Sequence, residues 1–175
     1  MIDRPAAVIS DANVLIDYIS VERTLVLRLV SEHLFPIKLP RSILNEVNQL
    51  TEDQAEALGM EIIEESIEQI REAAQRGGAL SHVDKLCFAI ARDNQWAIWT
   101  SDKPLHKQCT SQSIPVYWGL QLMLELCKAG ELDPEYALNA AQEIEQVNER
   151  ISKEVVSEFI NKLKKGQLGT SETQE

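Results

Sequence analysis

Residues 6–16 read AAVISDANVLI, and this stretch decides the fold. AAVIS is a short unbroken apolar run, suited to a strand buried on both faces. Asp11 stands where the run stops. From there ANVLIDYISVERTLVLRLVSEH, residues 12–33, carries apolar side chains three and four apart, the spacing of a helix. A buried strand that passes through one acid into a helix is half of a βαβ unit.

Working outward, the alternation repeats. FPIKLP (residues 35–40) reads as a second strand closed by Pro40, after which Ser42 is expected to cap a helix bearing Ile43, Leu44, Val47 and Leu50, with Glu46 in its first turn. MEIIEES (60–66) is a third strand, and SIEQIREAAQR (66–76) a helix stopped by Gly77 and Gly78. Ser81 opens a further helix through Arg92, with Asp84 in its first turn. WAIWTS (96–101) is a fourth strand leading through Asp102 into the short helix KPLHKQC, and IPVYWG (114–119) a fifth. Strands alternating with helices in this way predict a doubly wound α/β fold with a mainly parallel sheet.

After Gly130 the pattern is wholly helical. Pro134 lies near one helix start, and Ser152 is expected to divide two helices. Ile144, Val147, Ile151, Val155 and Phe159 form an apolar stripe, expected to pack on the domain or on a second subunit. GQLGTSETQE, from Gly166 on, reads as a disordered tail. The expected division is a main α/β domain over 1–130, a helical extension over 131–165 and a tail over 166–175.

The 175 residues suit one domain, and 44% of them are hydrophobic, normal for a folded globular chain. No apolar run approaches the ~20 residues of a membrane span, and no signal peptide is evident. The expected location is the cytoplasm, with no membrane partner. Cys87, Cys109 and Cys127 lack metal spacing and read as free thiols. A net charge of −11 argues against a protein that coats nucleic acid. Residues 46–72 alone hold nine acids against one Arg, so the excess is local and leaves a focused nucleic-acid contact open.

In a doubly wound sheet, ligands bind beyond the carboxyl ends of the strands. Asp11 and Asp102 fall at such ends, and Glu46 and Asp84 fall in helices that can lean over the same edge. Each acid alone could be a helix cap or a surface residue. Four on one edge repel one another, and a divalent cation would neutralise them. An ion held by oxygen ligands alone is usually Mg²⁺ or Mn²⁺, which points to phosphate chemistry. Asn13, Thr100 and Ser101 supply polar groups beside these carboxylates. Lys103, Arg41, Lys107 and His106 flank the same edge as candidate phosphate contacts, and Trp118 could stack on a base.

VISDANVLIDY, IKLPRSILNEV, LSHVDKLCFAIARDN and WTSDKPLHKQC together resemble a PIN domain, the nuclease fold shared by VapC-type toxins of bacterial toxin–antitoxin pairs. VYWGLQLMLELCKAGEL resembles the tail of a PIN subgroup predicted to bind nucleic acid. The likeness spans about residues 6 to 160. It implies an α/β/α sandwich with about five strands and extra C-terminal helices. It also implies a Mg²⁺- or Mn²⁺-dependent endoribonuclease, with Asp11, Glu46, Asp84 and Asp102 as metal ligands and Asn13 and Thr100 as accessory residues. RNA is the implied substrate, and a cognate antitoxin and a homodimer the implied partners.

Two features depart from the family pattern: WGLQ replaces a glycine-rich turn, and Lys85 follows Asp84 where small residues are common. Lys85 is expected to point away from the pocket. Two alternatives stand beside the toxin: a PIN nuclease of RNA processing, and a PIN-like module that binds RNA or protein without cutting. Asn13 stands where a haloacid-dehalogenase phosphatase needs its second Asp. Dinucleotide and P-loop motifs are absent from the sequence.

Overall fold

The computed structural model describes residues 4–171. Five strands, β1 (Val8–Ser10), β2 (Ile37–Pro40), β3 (Met60–Ile63), β4 (Ala97–Thr100) and β5 (Val116–Trp118), form one sheet in the order β3-β2-β1-β4-β5. Every pairing is parallel. All residues of β1 and β4 are buried, so both faces of the sheet centre are covered by helices. The fold is the α/β/α sandwich expected from the alternation.

Strand order fixes where the acids can meet. The chain winds outward from β1 to β3, then returns to the other side of β1 for β4. The switch point therefore lies between β1 and β4, where Ser10 pairs with Trp99 and the Asp11 N–H donates to the Trp99 carbonyl at 2.9 Å. Asp11 and Asp102 leave the sheet on either side of that crevice.

The helices follow their caps. Asp11 caps α1 (Ala12–Ser20), Ser81 caps α6 (His82–Asn94) and Asp102 caps α7 (Lys103–Ser111). Ser66 with Gln69 makes a capping box for α5 (Ile67–Gln75). A second box, Thr51 with Gln54, opens α4 (Glu52–Ala57), a helix the reading above did not place.

Several expectations change. The helix expected over 12–33 is two: α1 ends at Ser20, and α2 (Leu25–Leu29) restarts and closes through a π turn at Val30–Leu34. Glu22 between them adopts φ 57°, a left-handed turn that lets Tyr18 and Leu27 both reach the core. Arg23, paired to Glu143 at 2.8 Å, holds the turn. Ser42 does not cap α3 (Arg41–Glu46), because the helix already begins at Arg41 and the Ser42 N–H donates instead to Glu65 Oε1 at 2.8 Å. Consequently Glu46 closes this short helix rather than standing in its first turn.

At the C-terminus, α8 (Gln121–Lys128), α9 (Pro134–Val147) and α10 (Lys153–Ser171) follow in sequence. Ser152 accepts from the Val155 N–H at 3.3 Å, at the expected break between α9 and α10. The break resets the helical phase. Ile144, Ile151 and Phe159 are buried, but Val147 and Val155 are exposed and Val156 and Leu163 take their place in the core. These side chains join the same apolar cluster as the sheet. The tail read as disordered from Gly166 is helical through Ser171, and residues 172–175 lie outside the described residues. Among the described residues no helix is long and apolar enough to cross a membrane. Cys87 and Cys109 are buried, Cys127 is half-buried, and all three are free.

Candidate metal centre

Asp11 is the most enclosed acid at the switch point, 5% exposed. The Thr100 hydroxyl donates to its Oδ2 at 2.8 Å, and the Asn13 main-chain N–H donates to Oδ1 at 3.4 Å. Thr100 also accepts from the Asp102 N–H at 3.0 Å, so one side chain ties the ends of β1 and β4 together. Asn13 thus serves through its backbone, while its side chain is exposed. Asp102 Oδ2 accepts from the Leu105 N–H at 2.9 Å, which leaves Oδ1 for another partner.

Asp84 sits at the third position of α6, half-buried, its N–H donating to Ser81 Oγ at 3.1 Å. Glu46 is at the exposed mouth. The charges feel one another. Burial pushes the Asp11 carboxyl up to about 6, with Asp84 and Asp102 raising it further against the lowering bonds from Thr100 and Asn13. Burial likewise raises Asp84, with Asp102 adding to it and Arg150 opposing. Glu46 is raised by partial desolvation and by Asp84. The four acids predicted from sequence are therefore one electrostatic group.

Arg150 acts on Asp84 from a distance, but no cation among the described residues pairs with any of the four. Several acids elsewhere are paired: Glu143 with Arg23, Glu72 with Arg92, Glu61 with Lys38. Among the described residues none of the four forms an ion pair. Arg41, expected at the active edge, is taken by Glu52 and Glu64 at 2.6 and 2.8 Å. Lys85 turns away as expected, its Nζ donating to the Arg76 carbonyl at 2.7 Å. Lys103 and Lys107 stay exposed on α7, without an ion pair among the described residues.

An all-oxygen, uncompensated donor set fits a hard divalent cation. Among the described residues no three His, Cys, Asp or Glu side chains come together in a group that could hold a metal ion by themselves. Mg²⁺ does not require such a group, because it keeps several waters and needs one or two carboxylates plus substrate phosphate.

One buried acid was missed. Asp17 lies on α1 between the core residues Leu15 and Tyr18, and its carboxylate accepts two bonds from Asn148 Nδ2 at 2.8 and 3.0 Å. Burial raises it to about 6, Asn148 opposes this, and Asp11 adds to it. An acid inside the apolar stripe of LIDY was the available signal. Its partner, 131 residues away, was not.

The WGLQ turn also resolves. The Gly119 carbonyl accepts from Tyr18 Oη at 2.7 Å and from Trp99 Nε1 at 3.0 Å, and the Trp118 N–H donates to Gln121 Oε1 at 3.1 Å. A Cβ at position 119 would fall 2.2 Å from Ser101 Oγ, the residue just after β4, so a larger residue there would have to displace that hydroxyl. No family model matches the chain, and comparison with curated proteins returns no match.

Proposed function

We propose that this chain is a divalent-metal-dependent ribonuclease that hydrolyses RNA phosphodiesters at the carboxyl edge of the sheet. The observation that carries the reading is the group of four carboxylates that act on one another at a topological switch point, none of them in an ion pair among the described residues. RNA, rather than another phosphodiester, comes from the resemblance of the acid-bearing segments to PIN nucleases.

Asp11, Asp84 and Asp102 would hold the ion. Bound there, Mg²⁺ or Mn²⁺ lowers the pKa of water and neutralises charge on the phosphate. The chain supplies the rest. Thr100 and the Asn13 N–H fix the Asp11 carboxylate in one orientation, so no rotamer search precedes binding. The N-cap bond of Asp102 fixes its free oxygen in the same way. Glu46, exposed and raised above the usual range, would orient the attacking water and take up its proton. In a toxin–antitoxin pair, an antitoxin Arg or Lys inserted among these carboxylates would replace the cation's charge.

The test is cleavage of a defined single-stranded RNA in Mg²⁺ and in EDTA, with a second substrate lacking the 2′-hydroxyl at the scissile ribose. Cleavage is expected only with metal, and the 2′-deoxy position should be tolerated because water is the nucleophile. Cleavage in EDTA, or a strict need for the 2′-hydroxyl, would overturn the reading.

A further inference from the structure

Trp118 is the one aromatic among the exposed large apolar side chains of the described residues, at 40% exposure. It is not loose. Its N–H is held by Gln121, and its carbonyl accepts from Trp99 Nε1 at 3.2 Å. The His106 ring lies flat against the indole, with centroids 3.8 Å apart and planes 7° from parallel. Stacked this way, His106 covers one face of the indole and braces it, so a base would meet an outer face of the pair.

Its location gives it meaning. Trp118 pairs with Thr100 across β4 and β5, and neighbouring strands lie about 4.8 Å apart. The platform is therefore rooted one strand from the hydroxyl that holds Asp11. Lys103, His106 and Lys107 stand at i, i+3 and i+4 of α7 and so share one side of the helix. Both lysines are exposed, in a chain of net charge −11. Aromatic faces beside unpaired cations are what single-stranded nucleic acid binds, with bases stacking and phosphates taking the charge.

We propose that Trp118 and His106 form a stacking platform for an unpaired base adjoining the scissile phosphate, with Lys103 and Lys107 contacting the flanking backbone. The proposal rests on the nuclease reading for its ligand class and sharpens it, because a base inside a duplex has no free face to offer. The substrate is then single-stranded RNA.

The experiment is fluorescence anisotropy of a short labelled single-stranded RNA in EDTA, where binding does not depend on catalysis. Wild type should bind it more tightly than the matching duplex. Trp118→Ala should weaken single-strand binding about tenfold or more, and Trp118→Phe should retain most of the affinity. An abasic strand of the same length should bind wild type and Trp118→Ala alike. Asp11→Asn should keep the Trp118-dependent affinity, so failure of the cleavage reading would leave this result standing. Equal binding of the RNA by wild type and Trp118→Ala, no RNA binding by wild type, or the same loss on the abasic strand would overturn the proposal. The last result would assign the ring to packing or to a protein contact.

Discussion

Asp11→Asn is expected to slow Mg²⁺-dependent RNA cleavage by about 10³-fold or more without unfolding the protein. A directly ligating carboxylate contributes several kcal/mol to the charge stabilisation a cation provides, and ~4 kcal/mol corresponds to about three powers of ten in rate. The fold should survive because asparagine keeps what the fold uses. Its amide oxygen can keep the N-cap bond from the Asn13 N–H, while its NH2 donates to the Thr100 hydroxyl in place of the bond Asp11 accepts there. The substitution also removes a charge that burial disfavours. Turnover and far-ultraviolet circular dichroism on the same preparation check both halves. Activity within tenfold of wild type would remove Asp11 from the site.

Trp99→Ala is expected to be the most damaging single change to stability, about 3–5 kcal/mol in urea denaturation. The side chain is fully buried on β4, 5.6 Å between ring centroids from Tyr18. Its Nε1–H is shared by the carbonyls of Trp118 and Gly119, so it joins β4 to the turn after β5. Removal leaves a cavity and strips the Trp118 carbonyl of a donor. Against a typical total of about 5–15 kcal/mol, such a loss approaches unfolding. Trp99→Phe, which keeps most of the volume and loses the donor, should cost less. A loss below about 1 kcal/mol for Trp99→Ala would show that β4 and β5 are held by something other than this ring.

The parts of this molecule that were legible in the sequence are those written locally. Each strand is an apolar run, and three of the four acids sit within two or three residues of a capping signal, so the sheet and its edge could be placed. The Thr51–Gln54 box was equally local and α4 could have been found from it. What could not be read depends on distant residues. Glu22 breaks the first long helix with no glycine or proline to mark it, because Arg23 reaches Glu143 across 120 residues. The α3 N-terminus takes its acceptor from Glu65 rather than from Ser42, because β3 delivers that carboxylate alongside. Arg41 leaves the site because the acidic stretch after it folds back within reach. The phase of the last apolar stripe slips at Asn148, whose amide is drawn to Asp17.

Those buried acids also set how stability depends on pH. Asp11 and Asp17 are raised from 3.8 to about 6 in the folded protein, so the folded state binds more protons than the unfolded chain between those values. Their contribution is complete below pH 4 and is lost as pH rises through 6. For Asp11 alone a shift of two units is on the order of 3 kcal/mol. Asp84 and Glu46 act in the same direction. Exposed pairs such as Glu52 with Arg41 oppose it weakly, because solvent screens them.

A cation bound among these carboxylates should reverse that loss, and only where they are ionised. The decisive measurement is the denaturation midpoint of metal-free protein at pH 5 and pH 7.5, each with and without excess Mg²⁺. The expected result is a less stable protein at pH 7.5, restored by Mg²⁺ by about 2.7 kcal/mol at a hundredfold excess over the dissociation constant, with little effect at pH 5 and none in Asp11→Asn. A midpoint at pH 7.5 that ignores saturating Mg²⁺ and Mn²⁺, or an equal response in Asp11→Asn, would contradict a metal site built from these four acids.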